Sequence, residues 1–594
     1  MLTKIDCGHT TKVLPLVYDN SLSYEEQICK IMYYLNNHVV SDDELKETLN
    51  YINSVTIKSV SGILGYGSLI EPIDLKCLGL EDYSCLYFSR GTYFVKGVDI
   101  DDLEHITILM PEATIMCVDE WSINANNCEH FTIIGGCFNG RDSGRYGVQL
   151  KNCKNSRVIN TTFTNFGNAN VENTMGLGVF GDCTGFNVNN CTFKNITAGV
   201  QSSDGFIHSY GVLINRLGST QEYSKTGTVN NCIFDNITSM DTTRKGDGDG
   251  IFIQAPPYID SSGKVVKPQC KVEINECYFN NCKKRAVKVA TFGSKIKNCY
   301  MDGEYWFACI DAQYGSLDIE NCVLINKSDY NGSITSAVIF AFGDCTIKNC
   351  KISAPYTYIN PDDESKKDTF HPGIRFDSRH GTNIIPASEK WGDIVIDNCL
   401  FDGVSRGVLA YDSNQNPPTY AVSGLYITDC TFGEFNQAHC IDIGESRFSS
   451  IDVFSFTNFR LLYGDDRFEV AEKIDNVEFK YPLGIGVPVK LSMSCYSNYW
   501  LNEPVGGYNK LHNTPHGKIV YSGDNMGDIT YQEHTGHGTI SRGKINPEDI
   551  TTTLAKQLLY NSKIGDIFIN TSNGNLFTCT GAGDDTSIGT WTQR

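Results

Sequence analysis

Apolar residues in the middle of the chain recur on a short unit, (Ile/Val)-x-Asn-Cys-x-(Phe or another apolar residue). Copies read IIGGCF from Ile133, VINTTF from Val158, VNNCTF from Val188, VNNCIF from Val229 and INECYF from Ile274. They continue as IKNCYM from Ile296, IENCVL from Ile319, IKNCKI from Ile347, IDNCLF from Ile396 and ITDCTF from Ile427, with weaker copies IDVFSF from Ile451 and IDNVEF from Ile474. The shortest gaps set a unit of about 22–25 residues, and longer gaps carry insertions. Between copies lies a second short strand, starting GVQL at Gly147, GVFG at Gly178, GVLI at Gly211, GIFI at Gly250, AVKV at Ala286 and GIRF at Gly373. Period-2 apolar positions on a unit this short predict one coil of a parallel β-helix. A leucine-rich repeat would need LxxLxL with a helical half, which is absent.

Equivalent residues in successive coils stack about 4.8 Å apart. The Ile, Cys and Phe positions are therefore expected to form inward ladders. Asn160, Asn190, Asn231, Asn298, Asn321, Asn349, Asn398 and Asn476 suit an asparagine ladder at a turn, where left-handed backbone and stacked amide hydrogen bonds combine. The expected fold is all-β, a right-handed parallel β-helix over residues 116–482. A β neck over 56–115 leads into it, and a β region over 483–545 and a tip over 546–594 follow.

The first 55 residues differ. Ser23 with Glu26, and Ser41 with Glu44, read as capping boxes. Ile28, Ile31, Met32 and Leu35 then fall on one helical face, as do Leu45, Leu49 and Ile52. Isolated helices of this length are marginal, so their apolar faces are expected to pack on other chains; the alternative is a helical hairpin folded onto the chain's own β-domain. At the far end, KIGDIFINTSNGNLFTCTGAGDDTSIGTWTQR reads as strands and tight turns, with a hairpin at SNG.

Composition narrows the partners. With 49 Lys+Arg against 69 Asp+Glu the net charge is −20, which argues against a nucleic-acid partner. No apolar run reaches the ~18 residues of a membrane span, and the start MLTKIDCGHT lacks the apolar core of a signal peptide. Of the 24 cysteines, eight fall at the fourth place of the repeat, and the cysteines read as reduced, small, inward apolar residues.

Candidate chemistry clusters around the second strand of consecutive coils. Aligning the repeats stacks Asp249 on Arg285 and Lys288 on Asp311, one coil apart, with Asp247 beside them. Neighbouring carboxylates and cations shift one another's pKa, as acid–base catalysis requires. A glycoside hydrolase would use two of Asp247, Asp249, Glu304 and Asp311. A polysaccharide lyase would use Arg285 and Lys288 around an anionic sugar, with Asp247 and Asp249 available for Ca²⁺; no other cofactor and no further metal site is indicated. His208, Tyr210, Glu304, Tyr305, Trp306 and Arg375 are the candidate substrate-binding residues, the aromatics for stacking on sugars. Insertions at 255–269 and about 377–392 would wall a groove. Stacked opposite charges are also what a soluble solenoid uses to keep its faces apart.

The opening VLPLVYDNSLSYEEQICKIMYYLNNHV resembles the N-terminal adapter of phage tail spike, tail fibre and preneck appendage proteins. The ending GDIFIN…GTWTQ resembles the small β tip on many such proteins, and the middle is similar to the pectate-lyase-like β-helix of tail spikes. The resemblance implies a homotrimeric virion protein, assembled in the host bacterial cytoplasm and attached to tail or neck proteins through its N-terminus. It implies contact with a host cell-surface glycan and polysaccharide depolymerase activity; the alternative is a structural or receptor-binding spike without catalysis.

Overall fold

The computed structural model describes most of residues 56–594. Residues 1–55, the loops 216–225, 329–336, 355–371, 377–392, 411–423, 444–452, 482–490 and 502–509, and some shorter breaks lie outside the described residues. The expected adapter helices and the 377–392 wall are among the readings that fall outside them.

Three long parallel sheets run side by side, two of 14 strands and one of 13. Each coil visits all three. One coil runs Thr132–Ile134, Cys137–Asn139 and Tyr146–Lys151, and the next starts at Arg157. By their residues we call them the isoleucine, phenylalanine and charged sheets. The fold is a right-handed parallel β-helix, the hand that parallel crossovers take.

The repeat explains the register. Ile133, Val158, Val188, Val229, Ile274, Ile296, Ile319, Ile347, Ile396 and Ile427 pair strand to strand in unbroken order. On the next sheet Phe138, Phe163, Phe193, Phe234 and Phe279 stack with centroids 5.4, 5.0, 5.0 and 4.7 Å apart. Near-parallel rings at this spacing add to the stabilisation that burial already gives. Between the two sheets the chain turns through left-handed residues, with φ from 49° to 55° at Asn160, Asn190, Asn231, Asn298, Asn321, Asn349 and Asn398. Their amides donate along the stack, Asn190 to Asn160 at 2.5 Å and Asn398 to Asn349 at 2.8 Å. The cysteines that follow are free and buried. Each thiol donates to backbone carbonyls, as Cys191 does to Asn189 and Val158 at 3.3 Å. A second asparagine ladder, Asn165, Asn195 and Asn236, bends the phenylalanine strands within their length, with φ near 55°, and the pairing resumes beyond it at Phe166, Ile196 and Ile237.

Several alignments move. Thr56–Ser59 already pairs with Ser84–Tyr87, and that strand with Thr107–Leu109 and onward. The segment expected as a neck is therefore wound into coils, around a single helical turn at Val60–Leu64; Leu86 and Ile108 hold the isoleucine line without the Asn-Cys signature. Ile427 pairs with Phe456, so the late copy is FTNFRL from Phe456 and not IDVFSF from Ile451. Val148 pairs with Leu177, which shifts the second-strand copy from Gly178 to Gly176. Asn476–Tyr481 lies beside Val453–Thr457 and pairs on its other side with Lys518–Gly523, joining the coils to the C-terminal sheet. That strand begins a seven-stranded sheet ending in Ile567–Asn570, Leu576–Gly581 and Thr590–Gln593. The two C-terminal segments thus share one sheet, which includes the hairpin at SNG.

Candidate functional site

The charged sheet positions the site through one small residue per coil. Gly250 faces inward: a Cβ there would lie 2.6 Å from the Ala286 carbonyl and 2.8 Å from the Phe279 ring. Its neighbour Ile251 is also in the core. Two consecutive inward residues break the alternation once, so Asp249 and Phe252 both face out. Gly211 does the same one coil earlier, against Phe234. The outer face then carries two lines. One runs Trp121, Tyr146, Met175, Tyr210, Asp249, Arg285 and Ala308. The other runs Leu213, Phe252, Lys288, Asp311, Phe340 and Arg375. The sequence alignment of Asp249 with Arg285 and of Lys288 with Asp311 matches these pairings.

Arg285 is the hub. Its Nη1 donates to Asp247 Oδ1 at 2.9 Å and to both Asp249 oxygens at 3.3 Å. Its Nε lies 2.7 Å from Asp311 Oδ2, as an ion pair without hydrogen-bond alignment, and its guanidinium sits 4.8 Å over the Phe307 ring. Gln313 donates to Asp311 at 3.2 Å. Asp249 and Asp311 are fully buried, and Arg285 and Asp247 nearly so, with 5% and 6% exposure. Asp247 faces the rim. Its Oδ1 also meets Lys284 at 3.1 Å, and its Oδ2 meets Lys288 and His208 Nδ1 at 3.4 Å. The Tyr210 hydroxyl donates to the same Oδ2 at 3.2 Å and lies 3.0 Å from His208 Nδ1.

The two carboxylates bridged by Arg285 are driven apart electrostatically. Burial pushes Asp247 up, but Lys288, Arg285, the His208 contact and Lys284 outweigh it and hold its carboxyl well below the usual range. At Asp249 burial dominates over Arg285, and the Asp247 charge adds to it, so its pKa rises to about 6. Burial and the two aspartates push the Tyr210 phenol up. Burial and Arg285 lower Lys284 despite Asp247. Burial works against the Arg285 charge, but Asp249, Asp311 and Asp247 overcome it, and its pKa rises.

The structure thus brings together Asp247, Asp249, Arg285, Lys288, Asp311, His208 and Tyr210. Glu304 and Trp306 lie one coil on and meet Lys283, at 3.2 Å and 5.9 Å. Tyr305 and Arg375 offer no surface to a ligand, which corrects the sequence reading. Tyr305 is fully buried and donates to the Phe279 carbonyl at 3.1 Å, because it turns into the core beneath the coil. Arg375 is fully buried two coils beyond Asp311, its guanidinium 5.5 Å over Phe340. A Ca²⁺ role for Asp247 and Asp249 does not fit either, since cationic and hydroxyl neighbours already surround their oxygens. Among the described residues no three metal-ligating side chains converge. The 255–269 insertion forms a hairpin, Tyr258–Ile259 against Val265–Val266, at the far end of the strand from Asp247. Lys284, part of the charged stretch NCKKRAVKV, joins the network through Asp247; Gln313 and Phe307 belong to it as well, and no sequence signal marks them.

No protein-family model and no curated protein matches the chain. Several solved structures are similar in part. One is the tailspike protein of an E. coli bacteriophage in complex with a pentasaccharide, 11% identical, covering 94% of this chain and 89% of that chain at a TM-score of 0.38. Another is a mannuronic acid specific polysaccharide lyase from human gut microbiota, 10% identical, covering 70% and 86% at 0.38. A third is a surface adhesin of Streptococcus pneumoniae, 12% identical, covering 70% and 85% at 0.35.

Proposed function

We propose that the chain is a phage tail spike or appendage that binds a host-surface polysaccharide along the charged sheet and hydrolyses it at Asp247 and Asp249. On this reading residues 1–55 attach it, as a homotrimer, to the virion. The observation that carries the catalytic part is the split of two carboxylates held by one guanidinium nitrogen. Paired titratable groups whose environments push their pKa values apart are how acid and nucleophile roles divide between two carboxyls. Asp249 is closed off in the unliganded chain, so glycan binding has to part the side chains over it; protonated Asp249 then gives its proton to the glycosidic oxygen as that C–O bond breaks, while the Asp247 carboxylate attacks the anomeric carbon. Water then releases the sugar from Asp247, returning a proton to Asp249. Hydrolysis is favoured over elimination because the two cations a lyase would use, Arg285 and Lys288, are both engaged by Asp247, and Arg285 by Asp311 as well.

The test is release of reducing ends from purified host wall or capsule polysaccharide. Activity should fall above pH about 6 as Asp249 ionises. Asp247→Asn and Asp249→Asn should each lose ~100-fold or more while melting cooperatively. Unsaturated uronate products would replace hydrolysis by elimination, and full activity in both variants would remove the site.

A second reading rests on the complete burial of Asp249 and Asp311. There the network is a structural lock and the spike binds its receptor without cleaving it. Glycan binding with no product after prolonged incubation would establish it.

A further inference from the structure

The outward line that carries Asp249 runs back, coil by coil, through Tyr210, Met175 and Tyr146 to Trp121. Four coil spacings of about 4.8 Å separate Trp121 from Asp249, roughly 19 Å along the stack. At the Trp121 end lies a groove of about 980 Å³, lined among others by Asp119, Glu120, Trp121, Arg145, Val171 and Glu172. It crosses four coils at the corner where the charged-sheet strands begin. Its rim is fixed by the backbone. The Arg145 and Tyr146 amides both donate to the Glu120 carbonyl at 2.8 Å, Met175 donates to the Arg145 carbonyl at 2.9 Å, and Val200 donates to the Val171 carbonyl at 3.2 Å.

Arg145 bridges two carboxylates loosely, Glu120 at 3.5 Å and Glu172 at 3.6 Å, and its guanidinium stands 5.1 Å over the Tyr146 ring. Two buried donors in this lining, Arg145 Nε and Trp121 Nε1, have no hydrogen-bond partner, although buried donors normally find one. Carboxylates outnumber the cation in the lining, so the groove repels a polyanion and suits hydroxyl groups, which carboxylates accept and Arg145 donates to. An indole beside such groups is a stacking surface for the apolar face of a sugar ring.

We propose that this groove is a distal subsite for uncharged sugar units of a glycan whose far end reaches Asp247. The inference rests on the glycan-processing reading, extends it to Trp121, Arg145, Glu120 and Glu172, and specifies neutral sugars at that end.

The experiment titrates the full chain carrying Asp247→Asn, which separates binding from turnover. Tryptophan fluorescence and calorimetry read its binding to hexasaccharides of glucose in α and β linkage and of N-acetylglucosamine, with a hexauronate as the charged comparison. Binding of a neutral hexasaccharide is expected, weakened about tenfold or more by Glu172→Ala and by Trp121→Phe, with the fluorescence change lost in Trp121→Phe. Glu172 is exposed, so its variant should keep the parent melting temperature. Neutral-sugar binding unchanged in both variants overturns the subsite and leaves the glycan-processing reading standing. Hexauronate bound in preference to every neutral sugar overturns the subsite's specificity. Binding of none overturns the subsite, while cleavage of host polysaccharide by the unsubstituted chain then decides the broader reading separately.

Discussion

The inside and outside of the same coils use one spacing for opposite ends. Inside, like residues stack on like: the Phe138–Phe279 column and the Ile133–Ile427 line each repeat one chemistry, and every added coil buries more apolar surface. Outside, on the charged sheet, unlike residues stack: Tyr210 on Asp249, Asp249 on Arg285, Lys288 on Asp311. Repetition about every 4.8 Å makes apolar groups cooperate and makes charges perturb one another. The lesson is that a solenoid's chemistry is found where its repetition fails.

That contrast can be broken from the outside first. Arg285→Ala takes the ion-pair partner from Asp249 and Asp311 in a buried setting while Asp247 keeps Lys284 and Lys288, and breaking such a cluster from one side costs about 3–5 kcal/mol. Urea unfolding should show this as a lowered midpoint at unchanged slope. A loss below about 1 kcal/mol would mean that water reaches the cluster freely.

The next effect is in pH. Asp249 has a folded pKa raised to about 6 from its ordinary 3.8, so the folded state keeps a proton that the unfolded chain releases between those values. Its contribution is fully present below pH about 4 and is lost as pH rises through 6. The loss is roughly 3 kcal/mol at most. Asp247, with its pKa depressed, acts oppositely: its contribution is present above the ordinary carboxylate pKa and is lost as pH falls below it. Stability measured at pH 4.5, 5.5 and 7 should therefore decline in the parent and flatten in Asp249→Asn. Parallel profiles would contradict the assignment.

Inside, single changes are smaller. Ile319→Val removes one methylene from a buried ladder and should cost about 0.5–1.5 kcal/mol. Asn298→Ala keeps a left-handed backbone without the residue type that tolerates it, at about 1–2 kcal/mol, and also loses the amide bond to Asn275 at 2.8 Å. Calorimetric melting ranks both. If either exceeded Arg285→Ala, the contrast between the faces would fail.

The inside was readable because its period survives: Ile, Asn and Cys return at fixed places, and the Asp249–Arg285 register follows once Gly250 is set against Ala286. What the residues did not disclose has physical reasons. The first coils lack Asn-Cys, since Leu86 and Ile108 hold the line alone, so those coils read as a neck. Two apolar residues two apart fit a strand in either register, which is how Gly178 stood in for Gly176. Tyr305 has the composition of a sugar platform, but only the path of the chain shows it turning inward. The Trp121 groove comes from residues on four coils with no common motif.

The most direct measurement is the crystal structure of the full chain carrying Asp247→Asn with an oligosaccharide cut from the polysaccharide it recognises. The account predicts the sugar on the outer face of the charged sheet, with a glycosidic oxygen near Asp249 and the chain extending toward Trp121. A glycan seated on the C-terminal sheet, with the Asp247–Arg285 cluster untouched, would contradict it.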